Sequence, residues 1–405
     1  MNVLASLPLA VDPLFTAGVG LEEVIIVLIK VVAAFALLLV SVMLVIWFER
    51  KLHADMTNRI GPNIAGPFGL LQTLADGIKL FFKEDLRPEA GDRRVFGLAP
   101  YLTLIPAFLI FTVVPIGGDF DNGDGTVTWF GNTTHLQVAD PPVGILFVLA
   151  MSSMAVYGIM LAGWSSGSKY PLFGSVRASA QMVSYEAALG LSLVAVLIKS
   201  GSLSTHEIVA GQADGWNWNL WVTGFIPFIV FLIASTAELN RPPFDLVEAE
   251  QEIVGGFHTE YSSIRFSLFF LGEYMNVITM SGVMVTLFFG GPDGPIPFWE
   301  SFGWLWGVFW FVLKVIAFCF TFIWFRATLP RFRYDQLMDL GWKLLIPLSL
   351  GWLIALAALD VARDNDWNRA LVAMICFGGL MLMGFLLTAA VNAGQRKRLL
   401  GEGID

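Results

Sequence analysis

Residues 237–274 read AELNRPPFDLVEAEQEIVGGFHTEYSSIRFSLFFLGEY and lie between two apolar runs, one ending at Ala237 and the next beginning at Phe266. Between them sit Glu238, Asp245, Glu248, Glu250, Glu252 and Glu260, against only Arg241 and Arg265. Carboxylates crowded between membrane-grade segments are costly, and ionisable residues kept there are by default functional. Pro242 and Pro243 stop the first helix, and Asp245 is then placed to cap a new one, with Glu248 three residues on. At about 100° per residue, Asp245, Glu248 and Glu252 share one face of that helix while Glu250 points away. Two readings stay open: acids that cap and complement a helix N-terminus, or a row of proton-exchanging carboxylates.

Outward from this stretch, the chain of 405 residues is 56% hydrophobic and only 14% charged, with a mean hydropathy of +0.70. Soluble domains carry about 25% charged residues, so the deficit indicates a membrane protein. Nine apolar runs are long enough, or nearly so, to cross a bilayer: 24–48, 95–116, 143–164, 180–198, 220–237, 266–289, 302–324, 342–359 and 370–391. The fourth and fifth are the weakest. The expectation is an all-α, polytopic integral membrane protein with about nine transmembrane helices. Of the 24 Lys and Arg, all except Lys30, Lys199, Lys314, Arg363 and Arg369 fall in alternate segments between the runs. By the positive-inside rule those segments are cytoplasmic, which puts the N-terminus outside and the C-terminus inside. The net charge of −9 is therefore spread loop by loop and implies no nucleic-acid partner. The start of the chain has no basic n-region, so no removable targeting peptide is expected.

The first inner segment, 49–85, reads ERKLHADMTNRIGPNIAGPFGLLQTLADGIKLFFKED. Its Gly-Pro pairs make an irregular lead into a helix expected over 69–83. Gln72, Asp76, Lys79 and Lys83 form one stripe of that helix, and Leu71, Leu74, Ile78, Phe81 and Phe82 cover the other side. It lies along the membrane surface or lines a polar cavity; Asp76 favours the cavity, since an acid is unwelcome near anionic headgroups.

Inside the spans, Glu186 and Glu273 are carboxylates that need protein or water around them. Glu186 can also be read as the inner end of a slightly shifted span. Lys314, near the middle of its run, needs a partner, expected to be a carboxylate; Lys30, nearer the outer edge, can snorkel. His53, His135, His206 and His258 all fall in loops rather than facing one another within spans, which excludes a membrane haem. Cys319 and Cys376 stand alone, so neither an iron–sulfur cluster, a disulfide framework nor another metal site is expected. The outer segment GGDFDNGDG, 117–125, fails the calcium-loop pattern and reads as a solvated turn. Any redox role therefore needs other subunits.

Four long segments carry a resemblance: 49–84, KYPLFGSVRASAQMVSYE at 169–186, the acidic stretch at 237–263, and RATLPRFRYDQLMDLGWK at 326–343. Together they resemble the H subunit (subunit 1 in mitochondria) of the proton-pumping NADH:quinone oxidoreductases, respiratory complex I. The resemblance implies an eight-helix core over 1–365, with 366–405 an additional span and basic tail. It implies a quinone chamber and mouth at Glu49, Arg50, Lys51, Asp76, Lys79, Arg177, Glu260, Arg326 and Arg331. It implies proton coupling at Glu186, Glu238, Asp245, Glu248, Glu250 and Glu252. Quinone would be the substrate and this chain would bind no cofactor. NADH, flavin and iron–sulfur clusters would belong to hydrophilic-arm subunits docked on the inner face, with antiporter-like membrane subunits as further partners. The location implied is the bacterial cell membrane. Two other readings remain: a stand-alone ion-coupled transporter, for which no internal repeat is visible, and a membrane anchor of a related hydrogenase.

Overall fold

The computed structural model describes residues 12–15, 20–120, 124–213, 217–247, 250–295 and 303–401. The apolar runs become helices because hydrocarbon offers no partner for backbone N–H and C=O groups. In order they are α1 Leu21–Met56, α2 Gln72–Phe82, α3 Arg93–Phe111, α4 Gly144–Ser165, α5 Lys169–Ser200, α6 Thr205–Ala210 and α7 Asn219–Val222. Then follow α8 Phe225–Glu238, α9 Glu250–Ile253, α10 Ser263–Phe288, α11 Gly303–Thr328, α12 Tyr334–Asp339, α13 Ile346–Asp364 and α14 Arg369–Gly401. A π turn, Leu340–Leu345, joins α12 and α13 into one continuous rod. The all-α expectation holds but for one hairpin, β1 Thr126–Trp129 against β2 Asn132–His135, just after the segment 117–125 expected to turn.

Among the described residues, eight helices are long and apolar enough to cross a membrane. The fifth apolar run is not one of them. It breaks at Thr223–Gly224, where Gly224 takes φ +81°, a conformation open to glycine but costly for other residues. What remains is α8, 14 residues or about 21 Å, shorter than the ~30 Å of a hydrocarbon core. The expected nine spans are thus eight full-length helices and one short apolar one. The amphipathic helix expected over 69–83 is α2, preceded by a single turn of 3-10 helix at Pro67–Gly69.

Helix α10 is the most enclosed and packs against α3, α11, α1 and α8. Its own Phe288 and, around it, Leu38, Ile110, Tyr185 and Phe231 are fully buried. Helix α5 carries the acidic stretch on its side. Gly174 lets the backbone of Gly256 come so close that an added Cβ would sit 2.8 Å from it.

Two local expectations are corrected. Asp245 caps no helix: residues 241–247 are turns and loop, two residues beyond it included, and α9 is described over Glu250–Ile253. Phe244, Leu246 and Val247 are all buried, and inserting them into the core outweighs a capping box. Asp245 and Glu252 therefore do not share a helix face, and Glu248 lies outside the described residues. Lys314 has the expected carboxylate, Asp293, within electrostatic reach, and bonds directly to three backbone carbonyls, those of Phe289, Gly291 and Asp293 at 2.7, 3.0 and 2.7 Å, which match the three donors of an ammonium. Lys30 does not snorkel; it is buried, 2.8 Å from Asp12 and bonded to the Thr134 hydroxyl.

Candidate functional site

The end of α1, the start of α10 and the end of α11 converge on one buried ion cluster. Glu49 on α1 accepts from Arg241, at 3.2 and 3.3 Å, and from Arg326 on α11. The Nε of Arg241 lies 2.9 Å from Glu273, and its guanidinium stacks 4.4 Å above the Tyr274 ring. The Arg241 side chain is only 6% exposed. Its burial acts to lower its pKa, but the Glu273 and Glu49 carboxylates more than reverse this and hold it well above its ordinary value. Each acid brings charge that would be prohibitive alone; together with two arginines they form a rigid, mutually compensated unit.

A cavity of about 270 Å³ lies beside this cluster. Arg326 and Glu273 stand in its wall, with Glu238, Asn240 and Asn276 as further polar groups, and Phe266, Phe269 and Phe270 supply an apolar side. His258 also faces it, its imidazole pushed down to about 4 by burial and hence neutral at physiological pH. The volume is near the lower end of ligand pockets, roughly 300–1,000 Å³, and the mix of aromatic walls with few polar groups is typical of them.

On the far side of the cavity, α4 presents two adjacent serines. Ser152 donates to Glu238 of α8, and Ser153 donates to Glu186 of α5. Glu238 is buried, and its second oxygen makes no hydrogen bond among the described residues. Gln181 closes the connection behind it, donating to the carbonyls of Ala237 and Phe244 at 2.7 and 3.0 Å. One α4 turn thus bridges two of the expected carboxylates, which are 52 positions apart in sequence and belong to different helices.

The remaining expected residues are placed as follows. Arg50 pairs with Asp76 at 2.6 Å, joining α1 to α2, with Gln72 donating to the other Asp76 oxygen at 3.2 Å. Arg331 pairs with Asp245 at 2.8 Å and Arg177 with Glu252 at 2.7 Å. Two acids expected on a proton path are therefore tied to two arginines expected at a chamber mouth. Lys51 and Glu260 are half-buried and Lys79 is exposed. Of Glu250 only the backbone is described, as the first residue of α9.

Sequence reasoning missed Arg241 as the keystone of the cluster and missed the two serines. Arg241 was visible as one of two bases amid six acids, a charge that had to find partners. Ser152 and Ser153 carry no such signal, since serine is common in apolar helices.

Comparison with known proteins settles the family. A family model described as NADH dehydrogenase matches residues 29–357. The H subunit of the NADH-quinone oxidoreductase of Frankia casuarinae is 50% identical over 368 residues, 90% of this chain and 79% of its own length. That of Frankia alni is 48% identical over 403 residues, covering 98% and 86%. That of Cutibacterium acnes is 45% identical over 400 residues, covering 95% and 89%. The chain belongs to the H-subunit family of the NADH-quinone oxidoreductases. The matched region ends within α13, so α14 lies beyond it. With bacterial relatives and eight apolar helices of spanning length, this family member is a multi-pass protein of the bacterial cell membrane.

Proposed function

We propose that this chain is the membrane subunit of a proton-translocating NADH:quinone oxidoreductase that encloses much of the quinone chamber and starts the proton path. The observation that carries the reading is the cavity lined together by Arg326, Glu273 and Glu238. A quinone headgroup is apolar in its ring and polar at its oxygens, which suits phenylalanine walls beside a guanidinium. Reduction to the quinol takes up two electrons and two protons. The electrons come from NADH through flavin and iron–sulfur clusters of partner subunits, and this chain contributes no redox centre. Fixed positive charge from Arg326 stabilises negative charge developing on a quinone oxygen.

Proton uptake by the quinone changes the charge balance of the cavity and draws on the nearest acids. Glu238 and Glu186, bridged by Ser152 and Ser153, supply a route away from the cavity toward antiporter-like subunits. Hydrophilic-arm subunits have a charged landing surface in the connection before α3, where Asp85, Arg87 and Arg93 rim an open hollow of about 540 Å³. The names of the relatives favour this over a stand-alone transporter or a hydrogenase anchor.

The test is proton uptake into inside-out vesicles driven by NADH, normalised to assembled complex, for Glu238→Gln, Glu186→Gln and Glu248→Gln. All three are expected to assemble and to lose most pumping. Full pumping in Glu238→Gln and Glu186→Gln would overturn the proton route.

A further inference from the structure

A second group of titratable side chains lies away from the cavity, at the end that the positive-inside rule places outside. His135 ends β2 and His206 stands on α6; their rings meet 3.7 Å apart, tilted by 50°, and each residue is only 9% exposed. The Nε2 of His206 lies 3.0 Å from the Asp124 carbonyl oxygen, which can only accept, so that nitrogen carries a proton. The Nδ1 of His135 is buried and has no hydrogen-bond partner among the described residues. Two distant segments thus meet through a pair of imidazoles, the side chain whose charge changes most readily near neutral pH.

We propose that His135 and His206 form a proton-sensing latch: a proton taken up by the pair lifts the β1–β2 hairpin from α6 and slows turnover when the outer side is acid. The charged groups around the rings explain the direction. Lys30 is a buried, fixed cation bonded to the Thr134 hydroxyl, next to His135. Asp12 is engaged by Lys30 at 2.8 Å and by Thr134 at 2.9 Å. Glu207 accepts from Ser202, and Asp140 accepts from Ser204 at 2.8 Å. Asp124 adds a further attractive charge. Burial outweighs these acids: it pushes His135 down to about 4, with repulsion from His206 next, and lowers His206 as well. The latched state therefore binds fewer protons than the open one, and its stability is lost as pH falls below about 6.5 toward 4.

Helix α6 carries the change inward. Just past its end, Gln212 donates to the Thr286 carbonyl at 2.9 Å and accepts from the Gly290 N–H at 3.2 Å. Val209 lies so close to Gly291 that an added Cβ there would sit 2.8 Å from it. The end of α10 is thus held by α6, and the same helix carries Glu273 into the cavity wall. Docked and lifted positions of a short hairpin are the two states that protons bias. The physiological sense rests on the proton-translocating reading above, in which the pump itself acidifies this side.

The experiment follows hydrogen exchange of residues 126–135 and 204–212 in the purified, assembled complex at pH 7 and pH 5, corrected for the intrinsic pH dependence of exchange. Parent, His135→Gln and His206→Gln are compared, so that Asp140, whose opposite response is common to all three, cancels. The shift of His135 from 6.5 to about 4 predicts that opening between these pH values rises about twentyfold more in the parent than in His135→Gln. NADH oxidation by inside-out vesicles with the lumen buffered at pH 7 or pH 5 should slow more in the parent than in either variant. The gradient itself opposes pumping equally in all three. An acid response as large in both variants as in the parent, in exchange or in turnover, would overturn the latch. Absence of NADH-driven lumen acidification in the parent would instead count against the proton-translocating reading, on which the exchange comparison does not depend.

Discussion

Glu49 and Arg241, 192 positions apart, meet at 3.2 Å in the protein interior, and each is more than nine-tenths buried. The pair binds the end of the first long helix to the turn after α8, and through Glu273 and Arg326 to α10 and α11. Four separate parts of the chain are locked together at the wall of the cavity.

Removing Arg241 should therefore damage the fold before it damages the chemistry. Arg241→Ala leaves Glu49 and Glu273 beside each other with one fewer cation, at an expected cost of about 3–5 kcal/mol. The outcome is a sharp fall in assembled complex, measured by yield and by thermal melting. Adding Glu273→Gln should restore part of the loss; no recovery would show that Arg241 acts through packing on Tyr274 alone.

The exposed pairs behave differently. Arg50–Asp76 and Arg331–Asp245 involve arginines 41% and 37% exposed, where an ion pair is worth about 1 kcal/mol or less. Arg50→Ala and Arg331→Ala should assemble normally, keep electron transfer to an artificial soluble acceptor, and lose NADH:quinone activity. Equal loss of both activities would count against a role specific to quinone.

On the opposite side of the chain, His135 packs 3.7 Å from the His206 ring, near Lys30 and Asp12. Burial, then repulsion from His206, pushes the His135 imidazole down to about 4. Because the unfolded chain protonates near 6.5, this residue's contribution is fully present above that pH and is lost as pH falls toward 4, by up to the order of 3 kcal/mol. Asp140, raised to about 6 by burial, works in the opposite sense: its contribution is lost as pH rises through 6. Thermal melting of the complex at pH 7 and pH 5 should show a smaller acid loss in His135→Gln than in the parent.

Orientation follows from the basic residues and is open to direct measurement. A reporter fused after Asp405 is expected in the cytoplasm, and one inserted within 124–131 outside. Both tags on the same side would refute the positive-inside assignment.

The membrane class, the family and most of the apolar runs that became helices were legible in the chain itself. Hydropathy and charge asymmetry are summed over many residues, so local exceptions do not disturb them. The same sequence could not say that Asp245 would turn toward Arg331 instead of capping a helix. That choice depended on burying Phe244, Leu246 and Val247 against surfaces brought from elsewhere. Nor could it find Ser152 and Ser153, or the partners of Arg241, Lys30 and Lys314, because each lies on another segment and becomes a partner only when helices pack. In hydrocarbon every buried charge must be answered from within the protein: the demand can be read in the sequence, and the tertiary structure decides who meets it.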